Sequence, residues 1–274
     1  MAKRRRAKRK PTQGKRHLLV VLEGLLILIL LIAIFAIVNR SIASKQIADE
    51  EKASATLYQG LTAPDTAIAR ATSAESPQIQ PEIQELMAQN GDAVGLLHFE
   101  GDRTLYVCQT DDNFYYMSHR FDRSEDPAGM VYMDYRNSLL PRSDNLILYG
   151  HNMQDGSRFG TLKRFERKNY ILKYPLFQLV DHYETVDYVP FAVFHTSILP
   201  DDPAYYAFDC TDFDDAADFD RYVREVKSRS VLEIPIDAAY GDRLLTLVTC
   251  HSDIDHGRLI IVLRELKDSD PIQR

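Results

Sequence analysis

Eight short runs of apolar, β-branched and aromatic residues alternate with polar turn residues between positions 93 and 266. Runs of this length, bounded by Gly, Asp and Asn, are typical of strands, and about eight of them favour a closed barrel or a sandwich. The fold class predicted for this region is therefore mainly β. The runs are AVGLLHF from 93, TLYVC from 104, GMVYMDY from 129, NLILYGH from 145, FQLVD from 177, ETVDYVPFAVFHTSIL from 184, LLTLVTC from 244 and RLIIVLREL from 258.

Two other stretches have the helical period. PEIQELMAQN (81–90) opens with Pro and is followed by Gly91, and these residue types start and stop helices. Residues 212–229 carry apolar side chains at every third or fourth position, with acids early and Lys227 and Arg229 late. This pattern predicts a second helix, amphipathic and with charges that suit its dipole.

The amino-terminal region has the pattern of a membrane anchor. The first sixteen residues hold nine Lys and Arg side chains and no acid, and residues 18–38 are nearly all apolar. At 1.5 Å per residue such a run crosses a bilayer, and the basic flank predicts a cytoplasmic amino end. A cleaved signal peptide is the alternative, but its apolar region is usually about 7 to 15 residues long. We therefore predict a single-pass protein of the cell membrane.

The domain organisation follows from these patterns. We predict a basic cytoplasmic tail (1–17), a transmembrane anchor (18–38), a stalk or linker rich in Ala, Ser and Gln (39–78), and an extracellular folded domain (79–274). Because the basic run lies beside a membrane span, it is interpreted as a topology signal. The whole chain has a net charge of −7 even with this basic run included, so the rest of the chain is acidic. No nucleic-acid partner is expected.

Candidate chemistry lies at three predicted strand ends. Cys250 ends LLTLVTC, His151 ends NLILYGH after Gly150, which would allow a sharp turn, and Arg258 begins RLIIVLREL. A thiol attacks as thiolate and needs a basic or cationic neighbour. Each residue alone has an ordinary interpretation, as a small buried side chain, a turn histidine or a solvated cation. Their combination favours a nucleophilic site, but spacing alone leaves both interpretations open.

Three separated stretches resemble the sortase family, and its class B branch in particular: GMVYMDYRN (129–137), NLILYGHNMQDGSRFGTLKRF (145–165) and LLTLVTC…GRLIIVLREL (244–266). Sortases carry Cys in a Thr-Leu-x-Thr-Cys strand, His at the end of an earlier strand, and Arg on the strand after the Cys. Cys250, His151 and Arg258 match these positions. The likeness runs from about residue 80 to 266, and the predicted helix at 212–229 points to class B.

The resemblance implies an eight-stranded sortase β-barrel with an N-terminal helix and a long helix before the catalytic strand. It implies a membrane-anchored cysteine transpeptidase of the Gram-positive cell surface, whose partners are exported proteins with a C-terminal sorting signal. Cys250 would attack the carbonyl of a Thr in that signal, His151 would act as general acid and then base, and Arg258 would bind the oxyanion. The amine of a lipid-linked peptidoglycan precursor would accept the acyl group. No metal or other cofactor is expected.

The resemblance also implies a groove for the sorting signal. Class B members often have Ser two residues before the Cys, where this chain has Val248, so a hydroxyl is missing from that face of the strand. The region of Tyr205, Tyr206 and Phe208 would form a further wall. The predicted substrate-binding residues are Asn113, Met117, Tyr149, Val248, Thr249 and Tyr206.

Other classes of protein are compatible with parts of the sequence. A papain-like protease has Cys before His, which is the wrong order here, and the histidines lack zinc-hydrolase spacing. A pilus-assembling sortase with a pilin Lys as acceptor, and a non-catalytic surface module on the same barrel, both remain open. Cys108 and Cys210 are predicted to be a buried thiol and a loop thiol, and whether they pair is undecided.

Overall fold

The computed structural model describes residues 13–61, 78–250 and 256–272. The chain forms two compact units, Met1–Gln46 and Ile47–Arg274. The first twelve residues of the predicted basic tail, residues 62–77 of the predicted linker and residues 251–255 lie outside the described residues.

Helix α1 (Gln13–Leu61) contains the predicted anchor. The stretch Val21–Gln59 includes an 18-residue window with a mean hydropathy of 3.1, none of which is buried. Large side chains such as Leu26 and Leu30 are each 59% exposed. By length and composition this helix is a candidate membrane span, because an apolar surface of this size is unfavourable in water.

All eight predicted strands are present and close into one barrel in the order β1-β2-β3-β4-β7-β8-β6-β5. Most boundaries fall within two residues of the sequence pattern. The strands are β1 Ala93–Phe99, β2 Arg103–Cys108, β3 Val131–Met133, β4 Asn145–Tyr149, β5 Phe177–Asp181, β6 Thr185–Ser197, β7 Leu244–Cys250 and β8 Gly257–Glu265.

Two of the barrel's strand pairs are parallel, β2 with β3 and β4 with β7, whereas the others are antiparallel. A parallel pair needs a long crossover between its strands. Between β4 and β7 this crossover includes β5, β6 and two helices. Strands far apart in the chain thereby become neighbours.

The buried apolar side chains form three clusters, which the alternation along the strands separates. In β4, Leu146 and Leu148 join the cluster that contains Phe99 and Phe165, while Ile147 joins the cluster under the long helix. All of these side chains are fully buried. A third cluster includes Ile83 of the short helix after the linker and Leu96 of β1. The barrel therefore has one core inside and two further cores on its outer side, as expected for strands with both faces covered.

Three further helices complete the fold: α2 (Pro81–Gln89), α3 (Lys168–Lys173) and α4 (Ala216–Arg229). The prediction for α4 began at residue 212 and is corrected by the cap. The Asp215 carboxylate accepts a hydrogen bond from the Asp218 backbone N–H at 2.9 Å, which starts the helix there. Helix α3 was not predicted from the sequence. Two short 3-10 helices, Tyr115–Met117 and Leu162–Glu166, were not predicted either.

The carboxyl-terminal part of α1, residues 47–59, belongs to the same compact unit as the barrel. Ile47 is 2% exposed and Ser54 is fully buried. The Ser54 hydroxyl lies 2.5 Å from the carbonyl oxygen of Thr104, and the Tyr58 ring stacks on His98 at 3.9 Å. These residues fall within the stretch predicted as a linker, and the sequence pattern did not indicate their contacts with the barrel.

Cys108 and Cys210 are both free thiols. Cys108 is buried in β2, and Cys210 is half-buried in the loop before α4. The bridge that the sequence left undecided is therefore not formed.

Candidate active site

The parallel pairing of β4 with β7 places the residue after each strand at the same end of the barrel. Tyr149 is in register with Val248, and the Gly150 backbone N–H donates to the Val248 carbonyl at 3.1 Å. His151 follows directly. The ladder therefore brings His151 level with the last residues of β7.

Cys250 is the last residue of β7, and it is paired in register with Arg258 on the antiparallel strand β8. Arg258 is also in register with Thr196 on β6. Its side chain is half-buried, and its Nη1 donates to the Gly257 carbonyl at 3.0 Å. The three predicted positions thus come from adjacent strands, β4, β7 and β8, at one end of the barrel.

A cavity of about 210 Å³ opens at these strand ends. A larger cavity of about 470 Å³ is lined mainly by Leu, Ile and Pro side chains around α3 and the segment after α4. The position of the candidate chemistry points to the smaller one. Its lining residues are Met117, Tyr132, Tyr149, Gly150, His151, Ile198, Phe208, Val248 and Arg258.

His151 is held by both its ring and its backbone. Its Nε2 lies 2.8 Å from the Met117 carbonyl, which can only accept, so Nε2 carries the proton. The His151 carbonyl accepts from the backbone N–H groups of Met153 at 3.1 Å and Phe159 at 3.0 Å. These contacts fix the orientation of the imidazole ring at the strand end.

Gly150 is required by close packing rather than by a turn. A Cβ at this position would lie 2.8 Å from the Phe159 ring and 3.2 Å from the Val131 side chain. Its φ is not in the left-handed region. The sequence suggested that glycine at position 150 allows a sharp turn, and this explanation is corrected. Glycine is needed there because the space beneath the histidine is too small for a side chain.

A buried carboxylate, Asp134, organises the wall next to His151. Tyr149 donates its hydroxyl to Asp134 at 2.9 Å, Asn113 donates its amide at 3.1 Å, and Arg136 approaches with Nη2 at 2.8 Å. Burial opposes ionisation, but the hydrogen bonds from Arg136 and Tyr149 outweigh it and lower the pKa of Asp134. Burial, followed by the Asp134 charge, raises the pKa of Tyr149. The phenol is therefore a neutral donor fixed on the carboxylate.

Three of the six predicted groove residues line the cavity. Met117 is 40% exposed, Tyr149 is half-buried, and Val248 is 2% exposed at the floor. The cavity wall is thus largely apolar, with the phenol of Tyr149 turned toward Asp134.

The other three are placed differently within the described part of the chain. Asn113 is occupied by Asp134 and by the Tyr135 backbone N–H, which donates to it at 3.0 Å. Thr249 is 2% exposed, and its hydroxyl is buried without a partner among the described residues. Tyr206 lines a neighbouring cavity, beneath the Arg229 guanidinium at 4.8 Å, and burial raises its pKa to about 12.

Two lining residues were missed by the sequence analysis. Tyr132 is in register with Tyr149, and their rings are 5.4 Å apart. The alternation in GMVYMDY places Tyr132 on the face opposite Val131, so that signal was available. Ile198 follows β6, and no sequence pattern distinguishes it. Within residues 13–61, 78–250 and 256–272, no group of three His, Cys, Asp or Glu side chains could hold a metal ion.

Comparison with known proteins gives a consistent result, although no family model matches the chain. Sortase B of Listeria monocytogenes is 31% identical over 194 residues, which is 70% of this chain and 76% of the relative. Sortase B of Staphylococcus aureus is 26% identical over 257 residues, which is 93% of this chain and 99% of the relative. The solved Staphylococcus aureus sortase B–substrate complex has the same fold, with a TM-score of 0.70 at 24% identity, covering 83% of this chain and all of that one.

The alignment with the Listeria relative has more than 30% sequence identity and covers about three quarters of that protein. The closed eight-stranded barrel is also that of the solved sortase B structures. The chain therefore belongs to the sortase B family and is a cysteine transpeptidase.

Proposed function

We propose that this transpeptidase cleaves a Thr-containing sorting signal of exported proteins and joins them to an amine of a lipid-linked peptidoglycan precursor. The observation that carries the proposal is the shared register of β4, β7 and β8, with Cys250 opposite Arg258 and His151 level with the end of β7. The apolar cavity at the same strand ends supports a peptide ligand. Solved sortase B structures that contain a substrate and triglycine also support it.

In the proposed first step, the Cys250 thiolate attacks the carbonyl carbon of the Thr. The electron pair of the carbonyl moves to oxygen, and the guanidinium of Arg258, which is in register with Cys250, stabilises that oxyanion. The tetrahedral intermediate collapses with loss of the C–N bond. The imidazolium form of His151 gives a proton to the leaving amine and becomes neutral, and a thioester to Cys250 remains.

In the second step, the acceptor amine attacks the thioester carbonyl and loses a proton to His151. The C–S bond breaks, a new amide forms, and the thiolate is restored. The Nε2–H bond to the Met117 carbonyl supports this role, because it fixes the orientation of the ring.

We propose the topology that the sequence pattern indicates. Residues 1–17 would be cytoplasmic, residues 18–38 would span the membrane, and residues 39–78 would connect the span to an extracellular catalytic domain at 79–274. The apolar, exposed surface of α1 supports the span. A Gram-positive cell surface supplies both the exported substrates and the wall precursor that the reaction needs.

The proposal is tested with the full chain in detergent and a library of Thr-containing peptides, read by intact mass. We expect a thioacyl adduct that is absent in Cys250→Ala and is released by an added amine. His151→Ala and Arg258→Ala should each lower turnover by about 10² or more while the thermal unfolding midpoint is retained. Turnover by Cys250→Ala would refute the mechanism.

The acceptor is tested in the same assay by competition between a peptidoglycan-stem amine and a Lys side chain in a peptide. Preferential release by the stem amine supports wall attachment, whereas preference for the Lys peptide favours a pilus-type acceptor. A folded protein whose Cys250 resists both peptides and a methylthio reagent would instead favour a binding module.

A further inference from the structure

Two acids on α1 bind an arginine buried behind the site. Arg158 is 1% exposed, and its Nη2 donates to Glu50 Oε2 at 2.8 Å. The backbone N–H of the same residue donates to Glu51 Oε1 at 3.0 Å. A buried guanidinium is stable only when it is paired, so these contacts determine where this arginine can lie.

The backbone at Arg158 is itself in an unfavourable conformation. Its φ is +52°, in the left-handed region that non-glycine residues rarely adopt. Its carbonyl accepts from Arg103 Nη2 at 2.8 Å, and that guanidinium also reaches Glu51 at 3.2 Å. The acids on α1 therefore hold the side chain, the N–H and, through Arg103, the carbonyl of one strained residue.

This residue lies in the loop that begins with His151. Asn152 and Arg158 form a β-bridge across the loop, and the next residue, Phe159, donates its N–H to the His151 carbonyl. The Phe159 ring also packs directly beneath Gly150. A continuous series of contacts thus runs from Glu50 and Glu51 to the backbone of the histidine.

We propose that residues 47–59 of α1 are a positioning element of the active site, in which Glu50 and Glu51 hold the His151 loop through Arg158. The inference rests on the proposed role of His151. Without its carboxylate partner, the Arg158 guanidinium must move toward water, and the loop must move with it. A displacement of about 1 Å at a reacting group can lower a rate by roughly 10².

A purely structural role is the competing interpretation, since Glu50 also pairs with Arg120 at 2.9 Å. The two differ in their effect on turnover by folded protein. The test uses the full chain in detergent, with Glu50→Gln as the variant. Asp49→Asn is the matched control, because Asp49 is the adjacent acid on α1 and is exposed.

At a temperature well below the unfolding midpoint of each protein, we expect kcat for a cleaved sorting peptide to fall about tenfold or more in Glu50→Gln, with KM changed by less than about twofold. Asp49→Asn should equal the wild type. In an Arg158→Gly background, which suits the positive φ, Glu50→Gln should have no further effect on kcat. Equal kcat for Glu50→Gln and Asp49→Asn, or full additivity with Arg158→Gly, would overturn the inference.

Amide hydrogen exchange separates this inference from the proposed function. Exchange across residues 151–159 should be faster in Glu50→Gln than in the wild type and unchanged in Asp49→Asn. If the wild type cleaves no sorting peptide, the proposed function fails, and this exchange measurement still decides whether α1 holds the loop. Unchanged exchange in Glu50→Gln would refute the inference even in an active enzyme.

Discussion

Replacing Asp134 with Asn removes the charge on which one wall of the cavity is built. The carboxylate is fully buried and accepts from Tyr149, Asn113 and Arg136. An amide keeps one acceptor oxygen but turns an NH₂ group toward these donors. All three donors lose the negative charge of their acceptor. The substitution should therefore destabilise the domain and loosen Tyr149 at the cavity.

The magnitude follows from the contacts. Hydrogen bonds to a charged group contribute about 1.5–3 kcal/mol each. The Arg136 side chain is 38% exposed and keeps Asp209 as a partner. Its contribution to the loss of stability is therefore small, because solvent screens the interaction. We expect a total loss of about 2–3 kcal/mol, most of it from the buried Tyr149 contact. For a domain of this size, that lowers Tm by roughly 4 to 12 °C.

The pH dependence has a defined sign. The pKa of Asp134 is lowered in the folded protein, so its stabilisation is complete above the unfolded pKa of about 3.9 and is lost as pH falls through the folded pKa. The stability difference between wild type and Asp134→Asn should therefore be constant near neutral pH and shrink below about pH 4. Urea unfolding at several pH values measures it.

Asp209→Asn is the matched control, because it removes an exposed carboxylate from the same guanidinium. It should change stability by less than about 1 kcal/mol. Equal losses in Asp134→Asn and Asp209→Asn, or a difference that persists unchanged in acid, would refute the assignment of Asp134 as the organising charge. Peptide KM should rise in Asp134→Asn, since Tyr149 lines the cavity.

Other substitutions test the packing around the site. Gly150→Ala should cost about 1–3 kcal/mol and reduce kcat because its Cβ would meet the Phe159 ring, whereas Gly91→Ala, with open space around it, should be nearly neutral in thermal unfolding. Val248→Ser should lower stability by about 1–3 kcal/mol, because it buries a hydroxyl at a position 2% exposed, and should shift peptide preference in a library assay. Burial raises the pKa of Cys108 to about 12, so its alkylation at pH 8, followed by mass spectrometry, should occur only on unfolding; rapid labelling in the native state would contradict this.

The strands were predictable because a barrel strand imposes a local pattern. β1 coincides with AVGLLHF, and β7 with LLTLVTC. The juxtaposition of His151 with the end of β7 was not predictable from spacing, since the parallel pairing of β4 with β7 is a property of the whole topology. It was reached through the family resemblance, which carries that topology implicitly.

Contacts between distant polar residues left no periodic signal. No sequence pattern distinguishes Glu50, Glu51 or Arg158, although that arginine is 1% exposed in the structure. The sequence analysis singled out Gly150, but it could not show why glycine is needed there. The cause is the ring of Phe159, which lies nine positions further along the chain. Sequence patterns report how a segment folds, whereas these residues depend on which other segment faces them.

The parallel ladder between β4 and β7 has a consequence for the order in which the enzyme becomes reactive. Its two strands are separated by β5, β6, α3 and α4, so the ladder closes only after a long stretch of chain has been made and folded. During synthesis from the amino end, the histidine loop exists before the strand that ends in Cys250. Under the proposed mechanism, an unfinished chain would therefore lack the pairing of Cys250 with His151, and peptide cleavage would begin only with a finished barrel.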